Sequence, residues 1–469
     1  MKQSPAFRSL AVLTLLPFAA LKAAEAPAGR PNIIVILTDD HGWADLGANG
    51  VDRHIRTPNL DQLAADGVRF SRGYVTAPQC TPSRAGLISG RYQNRFGVEE
   101  NSNPMPSDVI TLPERLKTSG YTTGISGKWH LDTIRTKDSA KGHDPMLAPQ
   151  HQGFDEYFTG SMQAYTASHA LSGEPFPDAP KSVTAKGCRV SLQTEWALQF
   201  LKRRAADSGK QKPFFLYLAY MAPHTPLEFP KPWIDQVPKD LPRERRSALA
   251  LLAAIDDGVG RIRQQLKEAG QADNTLIFFL GDNGAPLGNK WDGSINKPMA
   301  GQKGMLSEGG IRVPFVAAWP GKIPGGKVFD HPVISLDIAA TALATAGQPA
   351  APELDGVNLL PHLTGEKDAP PHETLYWRWA DQAAILEFPY KLILLGRDQP
   401  LLFDITKPEG EHHSRELSVR HPEIAKRLQK RLETWMSTLS RPGPPGRLIR
   451  VKHYTGAEIL PLENQNQIK

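Results

Sequence analysis

Four segments of this chain carry residues that could hold an ion or move a proton, and each follows a predicted strand. Asp39-Asp40-His41-Gly42 follows residues 32–38. Gly127-Lys128-Trp129-His130 follows 121–126. Pro223-His224-Thr225-Pro226 follows 213–222, and Gly281-Asp282-Asn283-Gly284 follows 275–280. Asp39, Asp40, Asp282 and Asn283 are hard oxygen donors. They suit Ca²⁺ or Mg²⁺ rather than zinc, which favours His and Cys. Singly, an Asp-Asp pair is a common loop start and Asp-Asn-Gly a simple turn; the joint pattern points to a metal. A fifth segment, Cys80-Thr81-Pro82-Ser83-Arg84, places one of two cysteines at a predicted helix start. That cysteine reads as an ordinary buried thiol or as a thiolate whose pKa a helix N-terminus lowers. The segment itself offers no partner histidine.

These segments need a frame that brings them together. Residues 32–38 are a continuous β-branched run, the mark of a strand buried on both faces. Further strands are predicted over 121–126, 213–222, 275–280 and 313–319. Thr57-Pro58 opens a helix as cap and first residue, and Gly67 closes it. More helices are predicted over 82–90, 112–118, 190–204 and 245–269. The alternation implies a large mixed, mostly parallel sheet sandwiched by helices, an α/β fold. Ligands bind beyond the carboxyl ends of such strands, so the four strand ends would converge on one edge.

The texture changes near Gly365, Pro370 and Pro371. Residues 373–379, 383–395 and 401–405 then alternate like antiparallel strands. A helix over 422–439 follows, with Ile424, Leu428, Leu432, Trp435 and Leu439 on one stripe. The expected organisation is a leader over 1–26, a catalytic domain over 27–368 and a smaller C-terminal domain over 369–469, with an antiparallel sheet and a packed helix. The tail beyond Arg441, with Pro442, Pro444 and Pro445, is expected to be extended.

Composition narrows the function classes. The chain has 469 residues, 40% hydrophobic and 22% charged, with a mean hydropathy of −0.38. This excludes a largely disordered, collagen-like or polytopic membrane protein. Lys plus Arg (55) exceed Asp plus Glu (49) by a thin margin, without the clustering of a nucleic-acid binder. Two cysteines, Cys80 and Cys188, cannot build a disulfide framework. Lys2 and Arg8 precede an apolar run over 10–21 and then Ala23, Ala24 and Ala26, a cleavable leader pattern. The run is short for a membrane span; the competing reading is an uncleaved anchor. The protein is therefore expected to be exported, periplasmic or extracellular, with no membrane span after Arg30.

Cys80-Thr81-Pro82-Ser83-Arg84, with Leu87 and Gly90-Arg91 downstream, resembles the signature of type I sulfatases of the alkaline phosphatase superfamily. Gly127-Lys128-Trp129-His130 resembles a second element of that family. Gly301-Gln302-Lys303-Gly304 with Glu308-Gly309-Gly310-Ile311-Arg312-Val313-Pro314 resembles a third. One departure is Ser89, where Thr is usual, and residues 136–185 match no motif. The resemblance implies that a maturating enzyme, formylglycine-generating or anaerobic, oxidises Cys80 to Cα-formylglycine. It implies that Asp39, Asp40, Asp282 and Asn283 hold one Ca²⁺ per chain, with modified Cys80 as a further ligand. Arg84 would fix the formylglycine hydrate and help neutralise the cluster. Lys128 and Lys303 would grip sulfate oxygens, His130 would hydrogen-bond the diol, and His224 would lie near the bridging oxygen.

The chemistry is consistent with elementary electrostatics. A cation and two ammonium groups stabilise the charge that spreads over a sulfate ester at the transition state. A hydrate offers one oxygen to attack sulfur, and its second hydroxyl loses a proton to expel sulfate. A histidine titrates in the range needed to protonate an alcohol leaving group. The expected substrate is a sulfated carbohydrate or polysaccharide. The alternatives are a formylglycine-dependent phosphodiesterase or phosphonate monoester hydrolase and an inactive polyanion-binding relative. Arg53, His54, Asp132, Trp291, Asp292, Trp377 and Arg378 lie in segments that could shape the sugar subsite.

Overall fold

A computed structural model describes residues 29–134, 142–206, 212–396, 399–407 and 410–440. The leader and the Pro-rich tail lie outside these residues. Among the described residues, ten strands form one sheet. From one edge to the other they are Lys327–Phe329, Val68–Phe70, Phe315–Ala318, Thr275–Gly281, Asn32–Asp39, Phe214–Pro223, Thr122–Gly127, Glu156–Ser161, Ala164–Ala167 and Lys181–Thr184. The five strands from Thr275–Gly281 to Glu156–Ser161 run parallel. Antiparallel strands flank them on both sides. The sheet is therefore mixed with a parallel centre, as its β-branched runs predict.

The central strand, Asn32–Asp39, is buried along its whole length. Its alternate residues feed two cores, Ile33, Val35 and Leu37 on one face and Ile34 and Ile36 on the other. Helices Arg189–Ala206 and Arg243–Glu268 pack on the second face through Trp196, Phe200, Leu252 and Ile255. Burying a large apolar side chain stabilises by about 1.5–3 kcal/mol, so this double-sided core fixes the strands firmly. Helix Pro58–Ala65 begins where expected, but Thr57 does not cap it through a backbone amide. Its hydroxyl donates to Asp61 at 3.0 Å and accepts from the Gly47 amide at 2.8 Å.

A smaller antiparallel sheet of four strands follows, Leu375–Trp379, Gln382–Glu387, Tyr390–Leu395 and Leu401–Asp404. Helix Pro422–Ser437 packs on it through Leu428, Leu432 and Trp435. Tyr376 stacks on Trp435 with ring centroids 5.0 Å apart.

This sheet is tied to helix Glu308–Ile311 by a buried ionic cluster. Lys391 Nζ lies 2.8 Å from Glu308 and 2.7 Å from Glu411, all three without exposed side-chain surface or nearly so. Glu308 also accepts from Tyr74 at 2.8 Å and Arg312 at 3.0 Å. Glu411 accepts from the Glu308 amide at 2.5 Å. Among the described residues no helix is long and apolar enough to cross a membrane.

Candidate active site

Four adjacent parallel strands end on the same edge, and each end delivers one of the segments singled out from the sequence. Asp39 closes the central strand. Asp40 turns sharply after it with φ 61°, a conformation that Asp tolerates better than most residues. Its amide donates to Asp282 at 3.1 Å. Asp282 follows the strand on one side, and its amide donates to the Thr38 carbonyl at 2.8 Å. His224 follows the strand on the other side, its amide 3.1 Å from the Asp39 carbonyl. Gly127 precedes Lys128 with φ 106°, and a Cβ there would meet the Ala219 carbonyl at 2.0 Å. Only glycine fits that close approach, and it aims Lys128 into the site.

Cys80 is the first residue of helix Cys80–Ser89, and every residue of that helix is buried. The Asn101 side chain accepts from the Thr81 amide at 3.0 Å and so satisfies one of the helix's open amides. Cys80 Sγ lies 3.3 Å from Asp39 and 3.3 Å from Lys303 Nζ. One ligand atom each from Asp39, Asp40, Cys80 and Asp282 falls within 4.8 Å of the others. Asn283 completes the group: its Nδ2 donates to Asp40 at 2.6 Å, and its Oδ1 is buried without a hydrogen-bond partner among the described residues. An orphaned acceptor beside three carboxylates fits a hard divalent cation, since buried oxygens rarely go unpaired.

Cations surround these carboxylates. Arg84 donates two bonds to Asp282, at 3.0 and 2.8 Å, and one to the Lys128 carbonyl at 2.8 Å. Lys128 donates to Asp39 at 2.5 Å, and Lys303 to Asp40 at 2.6 and 2.9 Å. His224 Nε2 lies 3.6 Å from Asp40. Its Nδ1 lies 2.6 Å from the Thr225 carbonyl. A carbonyl only accepts, so Nδ1 carries a proton and Nε2 is the working nitrogen.

The electrostatics follow from this crowding. Burial opposes the charge on Asp39, yet Lys128, His224, Arg84 and Lys303 together hold its carboxyl well below the usual range. Burial, then Asp39, pushes Asp282 up. Burial opposes the charges of Lys128 and Lys303, but Asp39 and Asp40 respectively keep both ammonium groups firmly protonated. Burial, then Lys128 and Arg84, drives His130 well below its ordinary value. Its ring is therefore neutral near pH 7, and its buried Nδ1 has no hydrogen-bond partner among the described residues. Burial, then Asp282 and Asp39, raises the Cys80 thiol. That is the opposite of what a thiolate nucleophile needs.

All the residues singled out for catalysis or metal binding thus meet at one place. One other reading is corrected. Trp377 is fully buried and donates to the Val75 carbonyl at 2.7 Å, so it offers no sugar platform. Asp292 is likewise fully buried, within the wall beside Ser294. His41 turns away from the cluster, its ring bonded to Thr38 at 2.8 Å and the Asp45 carbonyl at 2.9 Å. Arg378 is tied to Glu99. Arg53 is exposed, and His54, Asp132 and Trp291 are half-buried. Cys188 is a half-buried free thiol 3.9 Å from Glu228.

Several supporting residues carry no sequence signal. The Asn296 amide bonds Ala285 on both backbone groups, at 2.8 and 2.9 Å, and the Gly301 carbonyl at 3.1 Å. Buried Arg189 holds the carbonyls of His224 and, at 3.0 Å, Pro226. Their partners lie in other segments of the chain, so no local spacing announces them.

A family model described as Sulfatase matches residues 31–348, and one described as N-sulphoglucosamine sulphohydrolase, C-terminal, matches residues 301–438. The chain is 35% identical over 387 residues to the N-acetylgalactosamine-6-sulfatase of Canis lupus familiaris, covering 76% of this chain and 70% of that one. A crystal structure of Ps i-CgsB in complex with k-i-k-neocarrahexaose superposes with TM-score 0.77 at 32% identity, over 88% of this chain and 94% of that one. The phosphonate monoester hydrolase SpPMH from Silicibacter pomeroyi shares the fold, with TM-score 0.66 at 22% identity over 88% and 96% of the two chains.

Proposed function

The chain belongs to the sulfatase family and is a sulfuric ester hydrolase; from that premise we propose that it is an exported enzyme that removes sulfate from a sulfated carbohydrate. In this reading Cys80 is converted to Cα-formylglycine. Asp39, Asp40, Asp282, Asn283 and position 80 hold one Ca²⁺. The leader spans 1–26, the catalytic domain 27–368 and the smaller domain 369–469.

One observation carries the reading: three carboxylates and a cysteine within 4.8 Å, ringed by Arg84, Lys128 and Lys303. The three carboxylates balance the three cations. A divalent ion therefore gives the site a net charge of about +2, which suits an anionic ester. The names of the relatives, an N-acetylgalactosamine-6-sulfatase and a neocarrahexaose complex, support a carbohydrate substrate.

When present, Ca²⁺ supplies positive charge at the sulfate oxygens and the hydrated aldehyde of residue 80 supplies the attacking oxygen. Lys303, 3.3 Å from the position 80 side chain, and Lys128 grip the remaining sulfate oxygens. Arg84 keeps Asp282 oriented through two bonds to one carboxylate oxygen. Neutral His130, whose buried Nδ1 is an open acceptor, would take a hydrogen bond from a hydroxyl of the hydrate at residue 80. His224, with Nδ1 occupied by the Thr225 carbonyl, gives a proton from Nε2 to the departing sugar oxygen. A phosphate diester has two free oxygens instead of three and would leave one of these cationic partners unmatched.

The test is mass spectrometry of the tryptic peptide bearing residue 80, paired with turnover of a panel of sulfated oligosaccharides. The expected result is an aldehyde at residue 80 and sulfate release from at least one sugar. Active protein carrying only unmodified cysteine would overturn the nucleophile. Aldehyde-bearing protein that releases sulfate from aryl esters but from no sugar would overturn the substrate class.

A further inference from the structure

We propose that Gln382, on the C-terminal sheet, is a positioning residue for Lys303, so that the smaller sheet sets the reach of an ammonium group in the active site. This rests on the reading of Lys303 as a sulfate-gripping group.

Lys303 lies in a loop, residues 301–307, between the cluster and helix Glu308–Ile311. Its own amide donates to the Ala285 carbonyl at 3.1 Å. The next amide, of Gly304, donates to the Pro78 carbonyl at 2.8 Å, two residues before Cys80. The loop is therefore stitched to the cysteine segment on one side. Gln382 stitches the other. Its Nε2 donates to the Gly304 carbonyl at 3.1 Å, and its Oε1 accepts from the Leu306 amide at 3.0 Å.

One primary amide thus acts as a strand partner to the loop, satisfying a carbonyl and an N–H two residues apart. Gln382 is only 3% exposed, and Leu306 is fully buried. Backbone groups in such surroundings need a partner. Trp379 is paired with Gln382 across the hairpin. Its ring comes within 3.6 Å of where a Gly304 Cβ would stand, at a residue with φ 82°. The hairpin tip therefore seats the loop by shape as well as by hydrogen bonds.

The lysine side chain is flexible, but its backbone origin decides where the ammonium can go. From this origin Lys303 Nζ reaches both Asp40 and Cys80. A displacement of about 1 Å at a positioning group can cost about a hundredfold in rate.

The experiment uses the full-length, matured enzyme and an activated aryl sulfate, with rates expressed per aldehyde-bearing chain. Gln382→Met keeps the volume and removes both hydrogen bonds. Its kcat/KM is expected to fall about tenfold to a hundredfold. In a Lys303→Ala background the same substitution should change kcat/KM by less than about twofold, because the group it positions is gone. A merely structural role would lower both backgrounds equally. Gln382→Glu keeps the acceptor for Leu306 but sets an oxygen against the Gly304 carbonyl, and should lose at least as much as Gln382→Met. Should Gln382→Met fail to fold, Gln382→Glu carries the same two-background comparison. Equal losses in both backgrounds, or none in either when Lys303→Ala alone is impaired, overturn the proposal while leaving Lys303 in its role. Unimpaired Lys303→Ala overturns that role, and the proposal with it.

Discussion

Lys391→Met is the substitution whose consequences can be worked furthest. The methionine keeps the length of the stem and removes an ammonium group that lies 2.8 Å from Glu308 and 2.7 Å from Glu411 with no exposed surface. Glu308 retains Arg312 at 3.0 Å and Tyr74 at 2.8 Å. Among the described residues, Glu411 retains the Glu308 amide as its hydrogen-bond donor. Breaking a buried pair from one side costs about 3–5 kcal/mol, because a charge stays behind unpaired. Near ~2.1 cal/mol/K of unfolding entropy per residue, a chain of 469 residues loses about 1 °C of Tm per kcal/mol. The expected loss at pH 8 is therefore about 3–5 °C.

The pH dependence gives the sign. In the wild type, burial and then Glu308 push the Glu411 carboxyl up to about 7, above the ordinary value of 4.5, while Lys391 resists. A raised carboxyl favours the protonated native state. The stability it contributes is complete below about pH 4.5 and is lost as pH rises through about 7, up to about 3 kcal/mol in all. Without Lys391 the carboxyl rises further, so at pH 5 Glu411 is neutral and the variant's deficit should shrink below about 2 °C. Adding Glu411→Gln should recover most of the loss at pH 8. Thermal scans at pH 5 and pH 8 read both effects. A deficit of the same size at both pH values, or no recovery with Glu411→Gln, would refute the reasoning.

Asp282→Ala should lose bound metal and turnover together, measured by elemental analysis and aryl sulfate hydrolysis; normal metal content would remove Asp282 from the ligand set. His224→Ala should slow esters of sugar alcohols at least tenfold more than activated aryl sulfates, since an acidic phenol needs little protonation; equal losses would make its role one of binding. An aryl sulfate should be preferred over the matching diaryl phosphate by roughly tenfold to several thousandfold in kcat/KM, from about 2–5 kcal/mol for an ammonium left without an oxygen. Lys303→Ala should narrow that gap, and a diester rate above the sulfate rate would promote the phosphodiesterase alternative.

The site was legible because a parallel sheet places chemistry at the ends of its most apolar strands. Asp39, His224 and Asp282 close or follow such runs, Lys128 follows the short, less apolar strand Thr122–Gly127, and the sheet brings the four ends side by side. The flanking strands were not legible. Val68–Phe70 and Lys327–Phe329 are three residues long, too short for any period to show. Ala164–Ala167 and Lys181–Thr184 lie in the stretch that matched no motif, and they form the half-exposed end of the sheet. The burial of Trp377 is legible in the alternation of its strand, since Leu375, Trp377 and Trp379 share one buried face. Gln382 could not have been found, since a single Gln in a strand signals nothing and its partners lie 76 and 78 positions away.

The placement of Asn32–Asp39 between two late-arriving neighbours has a bearing on how the chain is made. Its partners are Phe214–Pro223 and Thr275–Gly281, so this fully buried strand leaves the ribosome about 240 residues ahead of its last companion. At ~5–20 residues per second, that strand waits roughly 12–50 s without a ladder on at least one side. Pairings of such long range are slow to form and leave bare edges that other chains can capture. The interval also sets a deadline. Cys80 is 1% exposed in the finished molecule, so any enzyme that alters its side chain has to reach it while the nascent chain is still open. A variant that hastened closure of the sheet could thus yield a well-folded protein with an unaltered thiol.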